Sequence, residues 1–242
     1  MKLSIVIPVY NEAERFPPKL EPYLNWLDEN LPNYEIILVD DGSTDGTLKY
    51  LEKLSSKKSQ VKFIHNSQNR GRGFGMKTGV LAASGDFILE TDADLPVSPK
   101  HITKFLEYLE AHPECDYAIG SRGHQDSTFV MPQPFLRALF GHIFHFIFGC
   151  LFGKYFRDVM CGFKMFRRWT ARDIFNHVYD ERYLAAAEIV LAGERLGYKL
   201  KELPVAWEDD RRSKVKVLKD SLRSFYGLAI MRLRAWQGKY DR

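Results

Sequence analysis

Over the first half of the chain, short apolar runs alternate with segments whose apolar residues recur at helical spacing. The runs at 3–8, 34–39, 61–64 and 86–91 are continuous, as expected of strands covered on both faces. Helical patterns lie between them at about 12–30, 44–56 and 74–84. This alternation predicts an α/β fold: a parallel or mostly parallel sheet with helices on both faces. Another helix is expected from about Pro99 to Glu110, and another strand from Asp116 to Gly120. No period of 20–50 residues repeats, so a solenoid is excluded.

The texture changes at Pro132. Residues 135–152 are apolar nearly all round but contain Arg137, His142 and His145. A membrane span needs about 20 mostly apolar residues, so this segment is expected to lie in the plane of a membrane or inside a core or oligomer interface. A last helix is predicted over 217–236. Leu218, Leu222, Phe225, Tyr226, Ala229, Ile230, Leu233 and Trp236 share one stripe, with Lys219, Arg223, Arg232 and Arg234 beside it. A cationic amphipathic helix with aromatic ends suits a membrane surface; a helix packed on the sheet with a solvated basic face is the alternative.

Composition sharpens this division. The 242 residues are 45% hydrophobic and 27% charged, enough for one sizeable core. The net charge is +4, yet residues 211–242 hold ten Lys or Arg and two Asp. A mildly acidic body, residues 1–210, is therefore followed by a basic amphipathic segment, residues 211–242, suited to an anionic surface. The first ten residues read as a strand and carry no cleavage signature. Cys115, Cys150 and Cys161 have neither zinc-ligand nor disulfide spacing, which suits a reducing cytosol.

Two acidic clusters end apolar runs: Asp40-Asp41-Gly42-Ser43 and Asp92-Ala93-Asp94. In open α/β sheets the ligand crevice lies at the carboxyl ends of the strands, and carboxylates gathered there need a cationic partner. The first cluster equally suits helix capping. In extended chain Asp92 and Asp94 would point the same way, an arrangement favouring a divalent cation on a nucleotide diphosphate. The run Gly71-Arg72-Gly73-Phe74-Gly75-Met76-Lys77 is neither a phosphate-binding P-loop nor a dinucleotide fingerprint. A glycine-rich helix start with Arg70, Arg72 and Lys77 can sit beside a diphosphate, or simply allow tight turns.

Pro8-Val9-Tyr10-Asn11-Glu12, Val39-Asp40-Asp41-Gly42-Ser43-Thr44-Asp45-Gly46-Thr47, Asn69-Arg70-Gly71-Arg72-Gly73 and Thr91-Asp92-Ala93-Asp94-Leu95 occur in an order that resembles inverting family-2 glycosyltransferases of the GT-A fold. Gly120-Ser121-Arg122, Arg157-Asp158 to Lys164, Pro204 to Trp207 and Arg212-Ser213-Lys214 resemble the polyprenyl-phosphate branch: dolichyl-phosphate glucosyltransferases and dolichol-phosphate mannose synthases. The likeness spans about residues 1–225. It departs where the family often has Phe-Asp-x-Glu, since Ala185 and Ala186 precede Glu188 here, and in lacking clear C-terminal membrane helices.

The resemblance implies that Pro8, Tyr10, Glu12 and Asp41, with Asp40 beside them, form a nucleobase and ribose pocket, with Lys77 near the nucleotide. Asp92 and Asp94 would hold Mg2+ or Mn2+ on the donor diphosphate. Arg122, Arg212, Ser213 and Lys214 would meet donor or acceptor phosphates, and Asp158 would lie near the reacting centre. The expected activity moves a hexose from a nucleotide sugar, UDP-glucose first, to a dolichyl or undecaprenyl phosphate with inversion. GDP-mannose and UDP-N-acetylhexosamine donors, a soluble enzyme acting on a polysaccharide, and a nucleotide- or nucleic-acid-binding module are the alternatives. The basic tail lacks a nucleic-acid motif, so a peripheral protein on the cytoplasmic face of an anionic membrane is expected, as a monomer or homo-oligomer, without nucleic acid.

Overall fold

The computed structural model describes residues 2–130, 135–208 and 217–242, with side chains from 139 and 223 onward in the last two spans. The order of elements is β1 (Leu3–Val9), α1 (Phe16–Asn30), β2 (Tyr34–Asp40), α2 (Thr47–Lys57), β3 (Val61–His65), α3 (Arg72–Ala82), β4 (Phe87–Thr91), α4 (Lys100–Ala111), β5 (Tyr117–Ser121), β6 (Thr128–Phe129), α5 (Phe135–Phe152), β7 (Phe163–Arg167), α6 (Arg168–Asn176), α7 (Ala185–Arg195), β8 (Leu200–Pro204), β9 (Ala206–Trp207) and α8 (Val217–Trp236). Seven strands form one sheet in the order β3-β2-β1-β4-β7-β5-β8. All run parallel except β7, which is antiparallel to both β4 and β5. A short parallel pair, β6 with β9, forms a second sheet.

Two apolar layers cover the sheet. On one face Leu3, Ile5, Ile7, Leu38 and Leu89 pack on α1, α2 and α4 through Leu20, Leu24, Leu51, Phe105 and Leu109. On the other, Val6, Ile37, Val39, Ile88 and Ile119 meet α3, α5, α6, α7 and α8. Helix α3 lies close because Gly79 has no side chain; a Cβ there would collide with Val6 Cγ1. Helix α1 begins at Phe16 rather than near residue 12. Residues 10–15 form a loop, and Pro17 and Pro18 fit the first helical turn, where a missing N–H costs nothing.

Helices α5 and α8 match their predicted bounds, but the packing of α8 corrects its single-stripe reading. Phe144 and Phe148 of α5 are buried in the core, while Leu139, Ile143 and Phe146 are exposed. In α8 the buried residues are Leu228, Met231 and Ala235. Tyr226, Ala229, Leu233 and Trp236, all from the predicted stripe, face outward. Each helix thus has one apolar face spent on the core and further apolar side chains on the outside. Among the described residues, no helix is long and apolar enough to cross a membrane.

At the sheet's centre, Glu90 and Lys164 face each other across β4 and β7 with no solvent exposure. Lys164 Nζ donates to Glu90 Oε1 (3.0 Å) and to the Cys161 carbonyl (2.6 Å). Removing one member of a buried pair strands the other charge. Lys164→Met is therefore expected to destabilise the protein by about 3–5 kcal/mol in chemical denaturation. The double variant Glu90→Leu/Lys164→Met should recover most of that loss, and an equal loss in both would contradict the account.

Candidate active site

A cleft of about 350 Å³ opens at the carboxyl ends of β1, β2, β4 and β5. Its walls include Pro8, Tyr10, Glu12, Asp41, Asp92, Asp94 and Arg122, so seven sequence-predicted residues converge there. It also includes Asn69 and Arg72 from the motif and glycine-rich run already singled out, and Arg15, Tyr183, Ala186 and Trp207, which the sequence assignments did not contain.

The first acidic cluster builds the wall carrying Tyr10 and Glu12. Asn11 N donates to Ser43 Oγ (2.9 Å), Glu12 N to Thr47 Oγ1 (2.8 Å) and Thr44 N to Asn11 Oδ1 (2.8 Å). These bonds hold the loop after β1, where Asn11 adopts a left-handed φ of 53°. Capping by Asp40, Asp41 or Ser43 is not what the structure shows: α2 starts at Thr47 with Gly46 at its cap and no side-chain cap bond, and it is Asp45, outside that set, that bonds Thr47 N (2.9 Å). Asp41 accepts the amides of Arg70 (3.1 Å) and Gly71 (2.6 Å), fixing the Asn69 loop across the cleft. Glu12 is paired with Arg15, whose Nε donates at 2.8 Å.

Asp92 and Asp94 lie beyond the end of β4, in a turn closed by Leu95 N on the Asp92 carbonyl (3.0 Å). Same-side projection in an extended strand is thus the wrong geometry, although the turn also delivers both residues to the cleft. Asp92 Oδ1 accepts from Arg72 Nε at 2.5 Å. Its Oδ2 lies against Gly162, where any Cβ would overlap it. Burial, then the neighbouring Asp92 charge, pushes the Asp94 carboxyl up to about 6, against the opposing charges of Lys19 and Arg15. The turn is buttressed by β9, through Glu208 N on the Pro96 carbonyl (2.8 Å) and the Val97–Trp207 bridge.

Arg122 lies at the far side. Its Nε and Nη2 donate to Asp158 Oδ2 (2.6 Å) and Oδ1 (2.8 Å), and its guanidinium stacks 4.8 Å from the Trp207 ring. Burial alone would raise the Asp158 pKa, but the Arg122 charge and hydrogen bonds hold it below the usual carboxylate range. Asp158 sits behind Arg122 and is absent from the cleft wall. His145 of α5 approaches Asp158 to 3.6 Å. Burial lowers the His145 pKa despite the Asp158 charge.

Other predicted residues have different surroundings. Asp40 is fully buried and bonds His65 Nδ1 (2.7 Å), outside the cleft wall. Lys77 also lies outside it, donating to the Val178 carbonyl (3.1 Å), with its pKa lowered by burial. The start of α3 is not an open anion cradle. Gly73 N and Phe74 N donate to the carbonyls of Arg182 (3.1 Å) and Glu181 (3.0 Å), and Arg70 pairs with Glu181. Glu188, the remnant of the family pattern, is fully buried and accepts from Tyr179 N (2.8 Å), Asp180 N (2.5 Å), Arg234 Nη1 (2.9 Å) and the Tyr240 hydroxyl. Arg212, Ser213 and Lys214 lie outside the described residues.

Gly162→Ala is expected to force the Asp92 carboxylate aside, leaving a folded protein with at least about a hundredfold lower activity; wild-type activity would contradict the contact. For Asp94, the folded chain holds a proton more tightly than the unfolded chain. Stability of the metal-free protein should therefore fall as pH rises from about 4 to 6. Asp94→Asn should flatten that dependence and raise stability at pH 7 by on the order of 1–3 kcal/mol, measured by denaturation in EDTA.

The family model for glycosyl transferase family 2 matches residues 4–175. A dolichyl-phosphate beta-glucosyltransferase of Dictyostelium discoideum is 34% identical over 96% of this chain and 74% of its own length. The protein of the same description in Mus musculus is 33% identical over 100% of this chain and 79% of its own. Glucosyl-3-phosphoglycerate synthase of Mycobacterium tuberculosis, solved with Mn2+, UDP and phosphoglyceric acid, superposes with a TM-score of 0.69 at 15% identity, covering 96% of this chain and 78% of that one. S. aureus TarS 1–349 with UDP gives 0.63 at 18% identity, covering 96% of this chain and 64% of that one. With its mostly parallel sheet and GT-A neighbours, the chain belongs to glycosyl transferase family 2 and is a hexosyltransferase.

Proposed function

We propose that this protein transfers glucose from UDP-glucose to the phosphate of a dolichyl or related polyprenyl lipid, with inversion at the anomeric carbon. One observation supports this most: almost the whole chain is similar to dolichyl-phosphate beta-glucosyltransferases. The same chain gathers strand-end carboxylates and arginines in one cleft. Pro8, Tyr10, Glu12 and Asp41 hold the nucleobase and ribose, with Asp40 supporting β2 from behind. Arg122, Arg212, Ser213 and Lys214 receive phosphate groups, and Asp158 positions Arg122.

The carboxylate pair fits a divalent metal. Asp94 bears a charge that burial and Asp92 disfavour, and hard cations take oxygen donors. Among the described residues no cluster of three or more His, Cys, Asp or Glu exists to hold an ion by itself. That suits Mg2+ or Mn2+, which commonly use one or two carboxylates together with substrate phosphates. Bound through Asp92 and Asp94, such an ion would neutralise charge on the departing diphosphate.

The acceptor needs little activation. A phosphate monoester with a second pKa near 6 is largely dianionic at neutral pH. Its oxygen forms the new bond to the anomeric carbon as the bond to UDP breaks, and UDP leaves with the electron pair. The chain's residues need only orient these anions and stabilise charge. A carboxylate committed to Arg122, as Asp158 is, is compatible with such chemistry. The outward apolar residues of α5 and α8 would meet the bilayer holding the lipid acceptor, making the protein peripheral.

The deciding experiment incubates purified protein with UDP-glucose, GDP-mannose or UDP-N-acetylglucosamine and dolichyl phosphate in vesicles. Glucosyl transfer that EDTA abolishes and Mn2+ or Mg2+ restores is expected; transfer only from another donor would overturn the glucose assignment. Replacing Phe146, Leu233 and Trp236 together by Ser should weaken sedimentation with anionic vesicles at least about tenfold while retaining UDP binding, because the lost area is apolar. Arg234 is unsuited to this test, since it bonds buried Glu188.

A further inference from the structure

Tyr183 lines the cleft with 43% of its surface exposed, and none of the nucleotide, metal or phosphate contacts proposed above involves it. Its backbone is fixed from several directions. Glu188 accepts the amides of Tyr179 (2.8 Å) and Asp180 (2.5 Å), and Asp180 Oδ1 accepts those of Arg182 (2.8 Å) and Ala185 (3.2 Å). The carbonyls of Glu181 and Arg182 accept the amides of Phe74 (3.0 Å) and Gly73 (3.1 Å). Helix α3 comes so close that a Cβ at Gly73 would collide with the Asp180 carbonyl and Ala185 Cβ. The neighbouring Leu184 is buried against Gly227 of α8. A tyrosine has only two side-chain torsions to fix. A large flat ring on so fixed a turn, facing a cleft, therefore loses little freedom when a ligand packs on it.

The position of the ring specifies which part of a ligand it meets. Burial opposes the Arg72 charge, while Asp92, Glu90 and Tyr183 support it; burial opposes the Arg122 charge, while Asp158, Cys161 and Tyr183 support it. The Tyr183 phenol is thus within electrostatic reach of both guanidiniums. Arg72 is bonded to Asp92 of the acidic turn, where the reading above puts the departing diphosphate, and Arg122 stands where it puts a phosphate group at the far side. In an inverting transfer the sugar lies between its leaving group and its nucleophile, so a side chain that reaches both sides borders the sugar. Ala186 follows three residues on, with its amide on the Tyr183 carbonyl (3.4 Å), and also lines the cleft. Its methyl group takes little of that space. A glucopyranosyl ring with equatorial hydroxyls presents C–H groups on its faces, and these suit the negative face of an aromatic ring.

We propose that Tyr183 is a sugar-contact residue: its ring packs against the C–H face of the hexose being transferred and favours the nucleotide sugar over the bare nucleotide. The inference rests on the donor-pocket reading above and adds to it a side chain for the sugar itself. It also assigns the 179–184 turn a task in the reaction, that of holding one wall of the sugar's space in place.

Calorimetry on the full chain with Mg2+ and no acceptor, comparing UDP with UDP-glucose, tests this without turnover. Tyr183→Ala should weaken UDP-glucose at least about tenfold and leave UDP within about twofold of wild type. Tyr183→Phe, which keeps the ring, should hold both ligands within about threefold of wild type. Tyr183→Leu, apolar but not flat, should fall between. Circular dichroism checks folding, and the Leu variant carries the test if the Ala variant does not fold. A general disturbance of the cleft would weaken UDP as well, so an equal loss for the two ligands overturns the proposal. An unchanged UDP-glucose affinity in the Ala variant, or a Phe variant as weak as the Ala variant, overturns it too. If wild type binds a different nucleotide sugar instead, the UDP-glucose assignment fails, and the same comparison between that ligand and its bare nucleotide still decides the role of Tyr183. Failure of wild type to bind any nucleotide sugar overturns both.

Discussion

A carboxylate and an ammonium sealed from water, Glu90 and Lys164, hold the reversed strand β7 between β4 and β5. A one-residue slip in a sheet turns every side chain to the opposite face. A slip here would separate two charges that have no solvent to fall back on. The resulting register, Thr91 against Phe163, brings Gly162 beside Asp92. The segment leading into β7 also carries Asp158 and Met160, which place Arg122 and close one wall of the cleft. One buried pair thus sets the relation between the parallel half of the sheet, with its acidic turn, and the half that supplies Arg122.

Opposed charges recur around the cleft: Glu12 with Arg15, Asp92 with Arg72, Asp158 with Arg122. Buried charges are tolerable when paired and hydrogen-bonded. These pairs let the cleft carry several arginines without collapsing onto one another's fields. Asp94 differs in that its environment works against its charge, the condition under which a cation would bring the largest local relief.

The parallel core was legible in the sequence because continuous apolar runs separated by helical patterns have few other solutions. The strand-end acidic residues were also legible, since they terminate those runs; Tyr10, Glu12 and Arg122 were expected at the site only from the resemblance to family-2 glycosyltransferases. What escaped was set by packing. β7, β8, α6 and α7 were not anticipated, and β7 runs backwards for reasons visible only in its pairing with Glu90 and Tyr117. Tyr183, Ala186 and Trp207 reach the cleft from elements distant in sequence. Arg72 stood in the glycine-rich run that the sequence flagged, but sequence could not tell it from Arg70 and Lys77, which point elsewhere. Spacing also suggested that α8 has one apolar stripe, while the structure buries a different set of its residues.

Helix α7 separates two tasks within three residues. Ala186 faces the cleft, while Glu188 is sealed in the core and bonds the backbone of Tyr179 and Asp180 together with Arg234 and Tyr240 from the C-terminal region. Residues two apart on a helix point in nearly opposite directions. A change at position 186 is therefore felt at the cleft wall, while its neighbour keeps the C-terminal helix fastened. One helix thus ties the shape of the cleft to the anchorage of the chain's end through residues that touch neither each other nor the same partners.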